Sequence, residues 1–273
     1  MSSTAINFQL PTGVQLQYSR RGDPSAIPIV FLHGFAGSWH EFVPIFDYLP
    51  EDLHAIAVTL RGHGGASRPE TGYELSDFSA DVEQLLKALE IPEVIIVGHS
   101  MGSAVAQRFA LDNSTTILGL VLVSAVYSKP GDPDLRAYYD STVSKLEDPI
   151  DPEFIRRFIA SMRVKPIPEE LFELFVREAL KVPARVWIQA FEGRLKDRIA
   201  EELDRIQCPT LLIWGDADHR SHQEDQDALL RNIRGSQLRV YGGCGHLAHI
   251  EEPERFALDI AAFLEETVAR STS

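Results

Sequence analysis

The run Val94-Ile95-Ile96-Val97, followed at once by Gly98-His99-Ser100-Met101-Gly102, constrains this chain more than any other stretch. Four contiguous apolar residues read as a buried strand. Beyond the motif, Ala104-Val105-Ala106-Gln107-Arg108-Phe109-Ala110 has the composition of a helix. A Gly-x-Ser-x-Gly between a strand and a helix holds its serine on a sharp, strained turn. Gly98 and Gly102 belong there because a Cβ at either place would crowd a neighbouring backbone. The turn lifts the Ser100 hydroxyl clear of the sheet. It also leaves the Met101 N–H at a helix N-terminus, a place suited to negative charge. Such a nucleophile needs a base and an acid from later in the chain.

On either side the chain alternates strand and helix. Val14-Gln15-Leu16-Gln17-Tyr18 alternates apolar and polar, and with the residues from Ile6 it reads as an antiparallel hairpin at a sheet edge. Ile27 to Leu32, His54 to Leu60 and Ile117 to Val123 read as buried strands. Trp39, Phe42, Val43, Phe46 and Leu49 predict a helix over 39–49. Phe78, Val82, Leu85, Leu86 and Leu89 predict another over 75–89, with Ser76 or Asp77 as its cap. This alternation means a parallel sheet covered on both faces. It stops after Ser124. From 128 to 195 only amphipathic helices cut by prolines follow, most simply a cap over a cleft. Strands resume at Pro209–Trp214 and Leu238–Tyr241, with helices over His222–Ile233 and Pro253–Ala269. The expected layout is a core from residues 1–127 and 196–273, with 128–195 as a helical cap inserted after the sixth strand.

A chain of 273 residues that is 44% hydrophobic can bury the core of one large α/β domain. The formal net charge of −14, with no basic run, argues against nucleic acid and anionic membranes as partners. The first residues, Met1 to Asn7, lack the basic and apolar regions of a signal peptide, and no segment has the length of a membrane span. Cys208 and Cys244 fall at opposite ends of neighbouring parallel strands, about 17 Å apart for a five-residue strand. A disulfide needs Cα atoms within about 7 Å. Two reduced thiols and a cytoplasmic location are expected.

Ligands bind beyond the carboxyl ends of parallel strands. Two segments there carry chemistry. Gly215-Asp216-Ala217-Asp218 places two carboxylates beyond the strand that follows the insertion. Gly242-Gly243-Cys244-Gly245-His246-Leu247-Ala248-His249 places two histidines beyond the last strand, on glycines that let the loop turn back over the sheet. Serine, aspartate, histidine is the chain order of Gly-x-Ser-x-Gly enzymes on this topology. Spacing alone does not choose between Asp216 and Asp218, or between His246 and His249.

These segments together resemble the α/β-hydrolase superfamily across nearly the whole chain. His33-Gly34-Phe35 resembles its oxyanion loop, Gly98 to Gly102 its nucleophile elbow, Gly215 to Asp218 its acid turn, and Gly245-His246 with Glu252-Pro253 its histidine loop. The resemblance implies an α/β-hydrolase fold: a mostly parallel eight-stranded sheet flanked by helices, with an inserted helical cap. It implies Ser100 as nucleophile, Asp218 as the acid, His246 as the base, and the N–H groups of Phe35 and Met101 as oxyanion donors. No metal or cofactor is called for. His33, His63 and His99 are then structural, and His249 packs near the loop. Where some relatives carry the acid after the preceding strand, this chain has Ser124-Ala125-Val126, which favours Asp218. Two positions depart from the family pattern: Ser103, where many relatives have glycine, and Thr59, where many have aspartate. A serine nucleophile argues against haloalkane dehalogenases and epoxide hydrolases, which use a carboxylate.

Phe154, Phe158, Met162, Trp187 and Phe191 are the candidate pocket residues of the insertion, though each also suits packing. With the Phe35 and Met101 side chains they suggest a small, largely apolar carbonyl substrate. Arg136, Arg163 and Arg185 lie in the insertion, yet no evident clamp for a charged group is formed. The expected activity is hydrolysis of small carboxylic esters or lactones. The alternatives are a carbon–carbon bond hydrolase of the meta-cleavage type and a slow-turnover ligand receptor. The sequence carries no sign of oligomeric state.

Overall fold

The structure, a computed structural model, describes residues 4–271; the reading of Met1-Ser2-Ser3 lies outside them. In chain order the first half comprises β1 (Ile6–Gln9), β2 (Gln15–Arg21), β3 (Pro28–Leu32), α1 (Val43–Phe46), β4 (His54–Thr59), α2 (Leu75–Ala88), β5 (Val94–His99), α3 (Met101–Asp112) and β6 (Ile117–Val123). Four helices follow: α4 (Pro133–Ser141), α5 (Pro152–Ala160), α6 (Glu169–Ala179) and α7 (Ala184–Lys196). The chain ends with β7 (Thr210–Gly215), α8 (Gln223–Asn232), β8 (Gln237–Tyr241), α9 (Ala248–Glu251) and α10 (Pro253–Ser271).

All eight strands form one sheet in the order β1-β2-β4-β3-β5-β6-β7-β8. β3 to β8 pair in parallel, while β1–β2 and β2–β4 are antiparallel. This is the parallel sheet that the alternation of elements implies, in the α/β-hydrolase arrangement that the resemblance implies. Every residue of β3, β4, β5 and β7 is buried, as continuous apolar runs covered on both faces require. The edge strand β1 instead alternates in exposure.

Two local expectations change. The helix expected over 39–49 is a 3-10 turn, Trp39–Phe42, followed by the single turn of α1. Pro44 has no N–H for the carbonyl four residues back, so one continuous helix cannot run through it. Neither Ser76 nor Asp77 caps α2. The cap is Glu74, and Asp77 closes the turn by accepting the Glu74 N–H at 2.9 Å. Cys208 and Cys244 are both free thiols. No helix among the described residues is long and apolar enough to cross a membrane.

The four helices between β6 and β7 are tied down onto the carboxyl ends of the strands. Arg185 donates to the carbonyls of Pro69 and Arg68, each at 2.6 Å, and Arg68 donates to the Lys181 carbonyl at 3.0 Å. Trp187 meets Phe35 edge-on at 4.5 Å. These contacts close a cavity between the insertion and the sheet.

Candidate active site

β5 ends in the turn that presents Ser100. Its backbone sits at φ 50° and ψ −116°, a conformation that costs a non-glycine residue about 1–3 kcal/mol. Its N–H donates to the Val123 carbonyl at 3.0 Å, which fixes the turn to β6. The flanking glycines are compulsory. A Cβ on Gly98 would lie 2.2 Å from the Gly102 carbonyl oxygen, and one on Gly102 would lie 2.1 Å from that of Leu32. Both obstacles are backbone atoms of the sheet and helix, which cannot turn aside. Gly102→Ala is therefore expected to destabilise the protein by about 3 kcal/mol, read as a lower midpoint in urea unfolding. An unchanged midpoint would contradict this packing.

Ser103, the first departure from the family pattern, adds a brace here. Its hydroxyl donates to the Ser100 carbonyl at 2.6 Å and accepts the Val126 N–H at 3.0 Å. Thr59, the second, accepts the Trp39 N–H at 3.0 Å and so anchors the 3-10 turn.

Tertiary structure separates the two aspartates and the two histidines. Asp218 Oδ2 lies 2.8 Å from His246 Nδ1. The Asp218 carboxylate also accepts the N–H groups of Arg220 and Ser221, at 2.8 and 3.2 Å, and the Ser221 hydroxyl at 2.6 Å. Burial pushes its pKa up, but His246 and these donors more than offset that and hold it well below the usual carboxylate range. Asp216 is exposed and accepts the Gly243 N–H at 2.6 Å, so it shapes the loop before His246. His246 is buried; burial lowers its pKa, opposed by Asp218. With Nδ1 taken by Asp218, Nε2 is the nitrogen left for chemistry, in a ring that lines the same cavity as Ser100. His249 turns the other way, with Nε2 3.1 Å from Glu41 Oε1.

Phe35 and Met101 border this cavity from the loop after β3 and the start of α3. No backbone acceptor takes either N–H among the described residues. The loop before Phe35 is braced by His33, whose Nδ1 lies 2.7 Å from the Gly34 carbonyl while Nε2 accepts the Leu60 N–H at 3.0 Å. That pattern requires the neutral ring with its proton on Nδ1, in line with a pKa lowered by burial. His63 Nδ1 contacts the Arg61 carbonyl at 2.8 Å, and burial pushes its pKa down to about 3.

The cavity measures about 510 Å³. Of the five candidate pocket residues, Phe158, Met162 and Phe191 line it, with Ile159 beside them. Phe154 and Trp187 do not. Trp187 is fully buried and packs edge-on against Phe158 at 4.9 Å and Phe154 at 5.8 Å, so it supports the ring that does line the cavity. Charged side chains also line the cavity, though not the arginines singled out in the sequence. Arg194, Arg220 and Lys129 line the cavity, with Asp132 and Asp225 near them, whereas Arg136, Arg163 and Arg185 do not line it. Arg220 stacks on the Phe158 ring at 4.5 Å and donates to the Ser161 hydroxyl at 2.6 Å. The Nε of Arg194 is buried with no hydrogen-bond partner. The cavity thus has an apolar wall and a polar end.

Glu41 escaped the sequence reading altogether. It is a buried carboxylate within the 3-10 turn, between aromatic neighbours, and its partner His249 is 208 residues away. No local pattern marks such a residue.

The chain matches the family model described as the alpha/beta hydrolase family over residues 29–260. A monoacylglycerol lipase of Xenopus laevis is 25% identical over 270 residues, covering 90% of this chain and 78% of that protein. A soluble epoxide hydrolase of a Corynebacterium strain is 26% identical over 295 residues, covering 96% and 97%. Among solved structures, an esterase from Exiguobacterium antarcticum superposes with a TM-score of 0.85 at 24% identity, covering 96% of this chain and all of that one.

Proposed function

The chain belongs to the alpha/beta hydrolase family, and from that premise we propose that it is a serine hydrolase cleaving small carboxylic esters or lactones through an acyl-enzyme. The observation that carries this reading is the 2.8 Å Asp218–His246 contact beside the cavity that Ser100 lines. In this reading Ser100 Oγ attacks the carbonyl carbon while His246 Nε2 takes its proton. The N–H groups of Phe35 and Met101 hold the oxyanion, each donor contributing about 3 kcal/mol in the transition state. The tetrahedral intermediate collapses, the ester C–O bond breaks, and His246 returns the proton to the departing alkoxide. Water then attacks the acyl-enzyme, His246 takes its proton, and the acid leaves as Ser100 is reprotonated. Asp218 holds the ring orientation and stabilises the imidazolium. These steps need no metal or organic cofactor.

The epoxide hydrolase relative does not redirect this reading. A serine that opened an epoxide would form an ether, with no carbonyl carbon for water to attack. The lipase relative acts on an ester bond, which suits a serine nucleophile. Residues 128–195 serve as the cap. Their Phe158, Met162 and Phe191 suit a short acyl group, and Arg194 suits a polar group elsewhere on the substrate.

The test is a series of p-nitrophenyl esters from acetate to decanoate. The cavity volume favours short to medium chains over decanoate. Lack of turnover on every ester and on simple lactones would remove the reading. Acid pH offers a second check. His246 works as a base only when neutral, and burial lowers its pKa, so kcat/KM is expected to fall on acidification with a midpoint below the ordinary value of about 6.5. A midpoint above that value would contradict the buried environment.

A further inference from the structure

Glu41 is a buried carboxylate that the ester mechanism does not use. It is the meeting point of three segments: the loop after β3, the end of β5 and α9. The Gly34 N–H, one residue before Phe35, donates to Oε2 at 3.2 Å. His99, one residue before Ser100, places Nδ1 2.7 Å from Oε1. His249, three residues after His246, places Nε2 3.1 Å from the same Oε1. The other nitrogen of His99, Nε2, lies 2.9 Å from the His246 carbonyl oxygen.

Both nitrogens of His99 therefore face acceptors. The His246 carbonyl can only accept, so Nε2–H donates to it. Nδ1, on the other side of the ring, lies 2.7 Å from Glu41 Oε1 in an approach too oblique for a hydrogen bond, so carboxylate and ring meet in a close electrostatic contact. Burial pushes the Glu41 pKa up, but His99 and His249 more than offset it and keep the group ionised.

We propose that Glu41 is a positioning residue: paired with His99, it holds the oxyanion loop, the nucleophile elbow and the histidine loop in one register. The inference rests on the reading of Ser100 as the hydrolase nucleophile. It has a signature that packing alone lacks. The groups facing His246 are Asp218, His99 and Arg220, and the His99 ring centroid is 4.9 Å from that of His246. His99 disfavours a proton on His246. His99→Gln removes that effect directly, and Glu41→Gln removes the carboxylate that pairs with His99.

The test is the rate of Ser100 labelling by a fluorophosphonate against pH, which needs no knowledge of the natural ester. Thermal melting reports whether each variant is folded. Folded Glu41→Gln is expected to label about 100-fold more slowly at neutral pH, because misplacement of about 1 Å costs that much. The acid limb of folded His99→Gln is expected to move up, as loss of a group that disfavours a proton on His246 dictates. If Glu41→Gln does not fold, His99→Gln alone carries the test, because it breaks the same pairing. A folded Glu41→Gln with the wild-type rate, or a folded His99→Gln with an unmoved limb, overturns the proposal while leaving the hydrolase reading intact. A wild type that does not label overturns both.

Discussion

Ser100→Ala is expected to lower ester turnover by about six orders of magnitude, to the residual rate that binding and oxyanion donors alone support. The substitution removes one oxygen and little else. Among the described residues no hydrogen bond of the Ser100 hydroxyl braces the fold, and the turn is held by the Ser100 N–H on Val123 and by Ser103 on the Ser100 carbonyl. The alanine retains the same strained φ of 50°, so stability should barely change. Parallel p-nitrophenyl ester assays of the two proteins, with thermal melts, separate lost chemistry from lost fold. Turnover within tenfold of wild type in the variant would take Ser100 out of the mechanism.

Asp218→Asn is expected to cost about 10⁴ in kcat while leaving the loop in place. The geometry gives the reason. Asp218 Oδ1 accepts the Arg220 and Ser221 N–H groups, so the asparagine oxygen takes that position. Its NH₂ then replaces Oδ2, the atom 2.8 Å from His246 Nδ1. A donor there obliges Nδ1 to accept, which moves the ring proton to Nε2. That nitrogen can no longer take a proton from Ser100. The Ser221 hydroxyl can rotate to accept from the new amide, so the local bonds survive. Asp216→Asn is the matched control, because Asp216 contacts the Gly243 N–H and not the imidazole. Equal losses in the two variants would show that loop shape, and not the acid, governs the rate.

These expectations come from different depths of the molecule. The Ser100 turn was legible because everything that makes it is contiguous: four apolar residues, two glycines and a helix. The sheet was legible for the same reason, since each buried strand announces itself as a short apolar run. The helix over 39–49 was misjudged where one residue, Pro44, overrode a convincing apolar spacing. The cap of α2 was misplaced because serine and aspartate are favoured caps, and only the observed turn shows Glu74 in that place.

The site is different in kind. Asp216 and Asp218 are indistinguishable in composition and two residues apart, as are His246 and His249 at a distance of three. Which aspartate faces which histidine depends on how two loops cross above the sheet. Phe154 and Phe158 share a helix stripe, yet only Phe158 lines the cavity, while Phe154 packs on the buried Trp187. Arg194 and Glu41 left no trace in any local pattern, because their significance lies in what surrounds them. The serine turn, the chain order of serine, aspartate and histidine segments, and the class of fold were all written in short stretches, because they rest on interactions between near neighbours. Which carboxylate meets which imidazole, what lines the cavity, and the meeting of three segments at one buried glutamate emerge only in the folded chain. Those outcomes depend on distances between residues far apart in the chain, which folding sets and spacing cannot.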